Sequence, residues 1–233
     1  MRPDLLLLLA ALALPPVPAT AQDVTGITRT DQLPWDLRRH RKNMIAGANV
    51  PTRDLRGLAD AGDSLAAFNF AKEIEAMGDP ALLPDALHYY SIAVHHGRDF
   101  ALPRLLRLLK ITGKDLSPGR LANVRLAIER AARRGDARAA RALSRMLTAG
   151  TPFGPDPVAA REWLQTVAAA GDGAAALDLA LLWMRPAPGL PADTAKARAA
   201  LELAAASDNL SARATAENLL RQLPAPNPED PSQ

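Results

Sequence analysis

Three of the four histidines lie close together in the chain: His88, His95 and His96. Imidazoles are the commonest metal ligands and the usual proton shuttles near neutral pH, so a catalytic or metal site would be sought here first. Adjacent side chains on a helix point about 100° apart, so His95 and His96 cannot easily share one ion. His88 lies two turns before His95 on a similar face, but the pattern supplies no third ligand. Polar helix-end histidines beside Gly97, favoured by the helix dipole, account for the cluster better. The chain has no cysteine, which excludes disulfides, thiolate metal sites and a cysteine nucleophile. No serine elbow, zinc-hydrolase helix motif, phosphate-cradling glycine loop or dinucleotide fingerprint is present. Scattered acids such as Glu73, Glu75, Glu129 and Glu162 fit solvated faces. The expectation is a protein that is not an enzyme, with no catalytic residues, no cofactor and no metal.

What remains is charge. Arg104, Arg107, Lys110, Lys114, Arg120, Arg125, Arg130, Arg133, Arg134, Arg138, Arg141 and Arg145 face only Asp115, Glu129 and Asp136 along the same stretch. Arg134, Arg138, Arg141 and Arg145 follow in steps of 4, 3 and 4, which predicts one face of a helix. Such a face could dock an acidic protein surface or anionic lipid headgroups. It could equally be a solvated face whose arginine stems cover the core. Nearer the N-terminus, Trp35 precedes Arg38, Arg39, His40, Arg41 and Lys42, with a short helix predicted near 35–46. A tryptophan beside a basic cluster suits a membrane interface or a partner groove. The alternative is a cap in which Trp35 and Leu37 cover the helices that follow. The candidate partner-binding residues are therefore Trp35, Arg38, Arg39, Arg41, Lys42, Arg134, Arg138, Arg141 and Arg145. A net charge of +3 does not demand a nucleic-acid partner, and aromatics for base stacking are not interleaved with these cations.

The elements that carry these residues repeat. Gly62-Asp63, Gly97-Arg98, Gly135-Asp136, Gly171-Asp172 and Ser207-Asp208 are spaced by 35, 38, 36 and 36 residues. A period near 36 is that of a two-helix unit. Four residues after each mark come Ala66, Ala101, Ala139, Ala175 and Ser211; eight after come Phe70, Leu105, Leu143, Leu179 and Thr215. Four before come Leu58, Ala93, Ala131, Val167 and Leu203. Steps of 4 and 8 lie on one helical face. Each mark thus joins two helices, with Gly suited to the left-handed turn and Asp to the next N-cap. The longer connections carry the breakers, as in Gly78-Asp79-Pro80 and Pro186 to Pro191. Helices are predicted near 52–61, 64–77, 83–96, 99–110, 118–134, 137–149, 156–170, 173–184, 192–206 and 210–222. Abundant Ala and Leu, with 4% aromatics, agree with helices rather than strands.

These units resemble Sel-one-like repeats, a subclass of tetratricopeptide-type helix pairs. The pattern is Ala, an aromatic pair three and four residues on, small residues, then Gly. Ala86, Tyr89, Tyr90, Ala93 and Gly97 match it, as do Ala160, Trp163, Ala168 and Gly171 with Leu164 and Val167 substituted. The unit ending at Gly135 has Leu126 and Ala127 where aromatics are expected, and the last unit keeps Ala199 and Ser207. The resemblance implies an all-α, right-handed solenoid of antiparallel helix pairs, four to five repeats long. It also implies adaptor work, with no catalytic residues to carry over.

The ends suggest a compartment. Met1-Arg2, the Leu/Ala run from Leu5 to Leu14, Pro15, Pro16 and Pro18, and Ala19-Thr20-Ala21 form the layout of a secretory signal peptide. An uncleaved anchor is the alternative, but the run is too short for a bilayer core of about 30 Å. The expected organisation is a signal peptide over 1–21, an N-terminal arm or cap over 22–51, a repeat domain over 52–223 and a disordered tail over 224–233. Composition rich in Ala, Arg, Leu and Pro suggests a bacterium. The functional expectation is a periplasmic interaction scaffold. Its preferred version is an accessory subunit on the periplasmic side of an inner-membrane complex, a respiratory one included, in peripheral contact with anionic lipid headgroups. The alternative is a soluble periplasmic regulator or inhibitor of a sensor kinase or another envelope protein, and the minor alternative an enzyme with no recognisable motif.

Overall fold

A computed structural model of the chain describes residues 26–187 and 190–224. The expected leader and its cleavage site lie outside the described residues, as does the expected tail beyond Pro224.

Eleven α-helices occur among the described residues, with no strand longer than an isolated bridge. A first helix, α1 (Trp35–Ile45), precedes five helix pairs. These are α2 (Thr52–Asp60) with α3 (Ser64–Ala76), α4 (Leu83–His95) with α5 (Leu102–Thr112), and α6 (Pro118–Arg133) with α7 (Ala137–Ala149). They continue with α8 (Pro157–Ala169) and α9 (Gly173–Met184), then α10 (Thr194–Ala205) and α11 (Leu210–Gln222). The molecule is an all-α solenoid. Among the described residues no helix is long and apolar enough to cross a membrane.

The marks act as the local chemistry requires. Gly62, Gly97, Gly135 and Gly171 have φ of 93°, 89°, 93° and 95°, where a Cβ would be strained. Asp63, Asp136 and Asp172 then cap the next helix by accepting backbone N–H bonds. Arg98 stands in the Asp position and makes no cap bond, and a 3-10 turn over Asp99–Ala101 leads into α5 instead. Ala66, Ala101, Ala139 and Ala175 are each fully buried, which lets the paired helices approach closely.

In the last unit the expected register is corrected by one residue. Leu203 is 50% exposed and Ser211 and Thr215 face solvent, whereas Ala204, Ala212 and Ala216 are buried. For α11 the cause is the cap. Asn209, not Asp208, accepts from the Ala212 N–H, so α11 starts one residue later than the earlier second helices.

Stacking is regular except at one place. The second helix of a unit packs closely on the first helix of the next in α3–α4, α7–α8 and α9–α10. Here α6 packs on α4 instead, and α5 packs chiefly on α4 and its own preceding turn. This unit has the widest spacing of marks and the longest helix, the 16-residue α6. At the N-terminal end, Leu33, Met44 and Val50 join the core and close the first pair. The Ile27 N–H donates to the Gly62 carbonyl at 3.1 Å, laying the incoming chain across the first turn.

Candidate interaction surfaces

The arm forms the expected cap only in part: Leu37 joins it and Trp35 does not. Leu33 is buried and Leu37 packs by Gly57, so the arm caps the solenoid. Trp35 does not take part, being 84% exposed. Arg39 and Lys42 lie on the same outward face as Trp35, and Ile45, 57% exposed, flanks it. Arg38 is exposed but tethered, donating from Nε to the Leu33 carbonyl at 2.9 Å and from Nη2 to the Asp31 carbonyl at 3.1 Å.

Arg41, expected among the docking residues, is buried. Its Nε donates to Asp63 Oδ2 at 2.6 Å, Nη1 to Thr30 Oγ1 at 2.8 Å and Nη2 to the Thr28 carbonyl at 3.1 Å. It locks the arm onto the first N-cap. Arg41 falls on the inner face of α1 with Leu37 and Met44, which places it away from Arg39 and Lys42.

The central basic stretch is also rearranged by tertiary structure. Arg134 is the C-cap of α6, so it does not share a helix with Arg138, Arg141 and Arg145 on α7. It reaches back one repeat, pairing with Asp99 and donating from Nη2 to the Val94 carbonyl at 2.7 Å. Arg141 reaches forward to Asp178 at 2.8 Å, and Arg138 pairs with Asp136 at 2.8 Å. Arg104 and Arg107 pair with Glu75, Arg120 with Asp85, and Arg125 and Arg133 with Glu129. Arg134 and Arg141, expected on a docking or solvated face, instead tie neighbouring repeats together. Arg145 alone of the four candidates is exposed and forms no ion pair with a described residue.

Beyond Glu129 and Asp136, sequence reasoning missed the acids that answer this charge across repeats. They lie about one period away: Asp99 is 35 residues before Arg134, and Asp178 is 37 after Arg141. Opposite charges one repeat apart were the available signal. Glu75 is a hub of the same kind, accepting from the Tyr90 hydroxyl at 2.7 Å as well as from both arginines. Burial pushes its carboxyl up, but the bonds from Tyr90 and Arg104 and the charge of Arg107 outweigh this and hold it low. Tyr89 donates to Asp60 at 2.8 Å, and burial with that bond raises its phenol to about 12. The aromatic pair thus fills the core and anchors its hydroxyls at the edge. Arg161 was missed altogether: it is buried, lies 4.1 Å from the Trp183 ring centroid and donates to the Leu182 carbonyl at 2.9 Å.

His88, His95 and His96 line one small cavity of about 160 Å³ with Ser91 and Asn123. Burial lowers the pKa of all three, and Arg134 adds to the effect at His95 and His96. Burial thus favours the neutral imidazole at each position. Among the described residues, no group of three or more His, Cys, Asp or Glu is arranged to hold a metal ion.

No family model matches the chain, and no curated protein matches it. Among solved structures it is similar to a protective antigen present in uropathogenic Escherichia coli strains that displays an SLR fold. The identity is 16% and the TM-score 0.51, over 80% of this chain and 41% of that one. It is also similar to a Sel1 repeat protein from Oxalobacter formigenes, at 25% identity and TM-score 0.44, over 81% of this chain and 54% of that one. The chain thus spans less than two thirds of either structure. With five successive helix pairs, three of them turning at a Gly-Asp mark, and with the first of these likenesses, the chain has the Sel-one-like repeat fold.

Proposed function

We propose that this chain is a non-catalytic protein–protein interaction scaffold of the bacterial periplasm, acting as an accessory subunit on the periplasmic side of an inner-membrane complex. The observation that carries the reading is the outward face of α1, where Trp35 stands 84% exposed above Arg39 and Lys42. An exposed indole of this size contributes to stability only when something covers it, and tryptophan and arginine are the side chains that dominate interface energies. The buried Arg41–Asp63 pair fixes the helix that presents this face, so little ordering is needed on binding. The basic, apolar leader pattern at the N-terminus supports export.

The test is chemical crosslinking and pull-down from detergent-solubilised native membranes. Trp35→Ala combined with Arg39→Gln and Lys42→Gln should keep the helical circular dichroism of the parent and lose retention on the membrane complex. Retention equal to the parent would remove α1 from the interface. A native product that begins at Met1 and fractionates with the cytoplasm would sink the compartment.

A further inference from the structure

The irregular packing of α5 opens a groove of about 580 Å³ between α5 and α7. Its floor is apolar, made by Leu106 on α5 and by Ala142 and Met146 on α7, with Pro152 beyond the end of α7. Three exposed cations line it: Lys110 in the last turn of α5, Lys114 just past it, and Arg145 on α7. None of the three forms an ion pair with a described residue. This contrasts with Arg104, Arg107, Arg120, Arg134, Arg138 and Arg141 around them, all of which are paired. The repeats answer their structural arginines with acids and leave three cations unanswered around an apolar floor. The volume lies within the range of sites that bury a small ligand or a few side chains.

We propose that this groove docks an acidic amphipathic helix of a partner protein, with leucine-sized side chains on the floor and Asp or Glu flanking them against Lys110, Lys114 and Arg145. Two parallel walls of helix with an apolar floor suit the helix-in-groove mode, read by anchors at i, i+3, i+4 and i+7. The ring of like charge selects for acidic flanks and against basic ones. The inference rests on the scaffold reading and names one place where a partner is held, separate from the outward face of α1.

The probe is a fluorescein-labelled synthetic helix with Leu at i, i+3, i+4 and i+7 and Asp or Glu elsewhere, titrated into the full-length chain by anisotropy. Binding that weakens with salt is expected, together with movement of the Met146 methyl resonance in carbon-13 methionine spectra while Met77 and Met184 stay fixed. Lys110→Glu with Lys114→Glu and Arg145→Glu should weaken the complex by about tenfold or more. Met146→Glu should do the same, and circular dichroism should be unchanged in both variants. A probe with Gln in place of its acids should bind worse than the acidic one. Absence of binding, indifference to both variants, or equal binding of the Gln probe overturns the proposal. So does capture of phosphatidylglycerol vesicles through Lys110, Lys114 and Arg145 in place of the peptide, or a sedimentation measurement that finds a second copy of the chain in the groove. The membrane crosslinking experiment separates the two levels. If both groove variants keep the native partner, the groove fails and the scaffold stands; if the parent chain itself retains no partner, the scaffold reading fails.

Discussion

Asp63 does two things that Asp136 and Asp172 do not combine. It caps α3 through the Leu65 and Ala66 N–H groups at 3.0 and 2.9 Å, and it accepts a bond from the buried Arg41 at 2.6 Å. Asp136 also caps a helix, but its partner Arg138 is mostly exposed, so that pair is worth about 0–1 kcal/mol. Losing a cap alone costs about 1 kcal/mol. Losing one partner of a buried pair strands the other charge and costs about 3–5 kcal/mol. Asp63→Ala is therefore expected to destabilise several times more than Asp136→Ala in urea melts. Equal losses would mean that water replaces Asp63 at Arg41. The histidines make a second residue-scale prediction. With His88, His95 and His96 all held below their ordinary value by burial, the unfolded chain takes up protons first as pH falls. Stability is then whole above about pH 6.5 and is lost as pH drops through the folded values. Glu75, Asp136 and Asp193 are held low and stay ionised in that window. The thermal midpoint should fall between about pH 7.5 and pH 5.5, and replacing all three histidines with Gln should flatten the slope. An unchanged slope would assign it elsewhere.

At the scale of elements, the burial ladder separates what the sequence made legible from what it hid. Helix boundaries were legible because Gly and Asp carry backbone chemistry that is local: a left-handed turn and a cap need no tertiary partner to be read. The pairings of Arg41, Arg134 and Arg141 were hidden because their partners are 22, 35 and 37 residues away, where a helical-wheel reading cannot reach. The last unit shows the limit of the mark itself. Ser207-Asp208-Asn209 offers two successive capping residues, and the structure caps with the second. This register can be tested by overpacking. Ala175→Leu and Ala212→Leu place a large side chain at a buried helix–helix crossing and should each cost roughly 1–3 kcal/mol. Ser211→Leu, one residue away on an exposed position, should leave the melting temperature nearly unchanged. If Ser211→Leu is the damaging change and Ala212→Leu the harmless one, the ladder runs unshifted through the last unit.

On the scale of the whole molecule, a solenoid is stable through the contacts between neighbouring units, and any unit that breaks the stacking sequence is coupled to fewer of them. The break lies in the second pair. Continuity passes from α4 directly to α6, reinforced by Arg134 reaching back to Asp99 and the Val94 carbonyl. Helix α5 branches off this path with its other flank facing the groove, although Leu102, Leu105 and Leu108 on its inner side are fully buried. Opening α5 would leave α4, α6 and α7 stacked, whereas opening α4 would separate the first pair from the third. Local opening costs only the contacts that are lost, so α5 should open at lower free energy than α4. Native-state hydrogen exchange provides the measurement. Amides of residues 102–112 are expected to exchange before those of 83–95 at the same pH and temperature, and an acidic helix bound in the groove should slow them selectively. Protection of α5 equal to that of α4 would mean that side-chain packing alone couples α5 to the array, and that the groove is a rigid cleft rather than the flank of a separately opening helix.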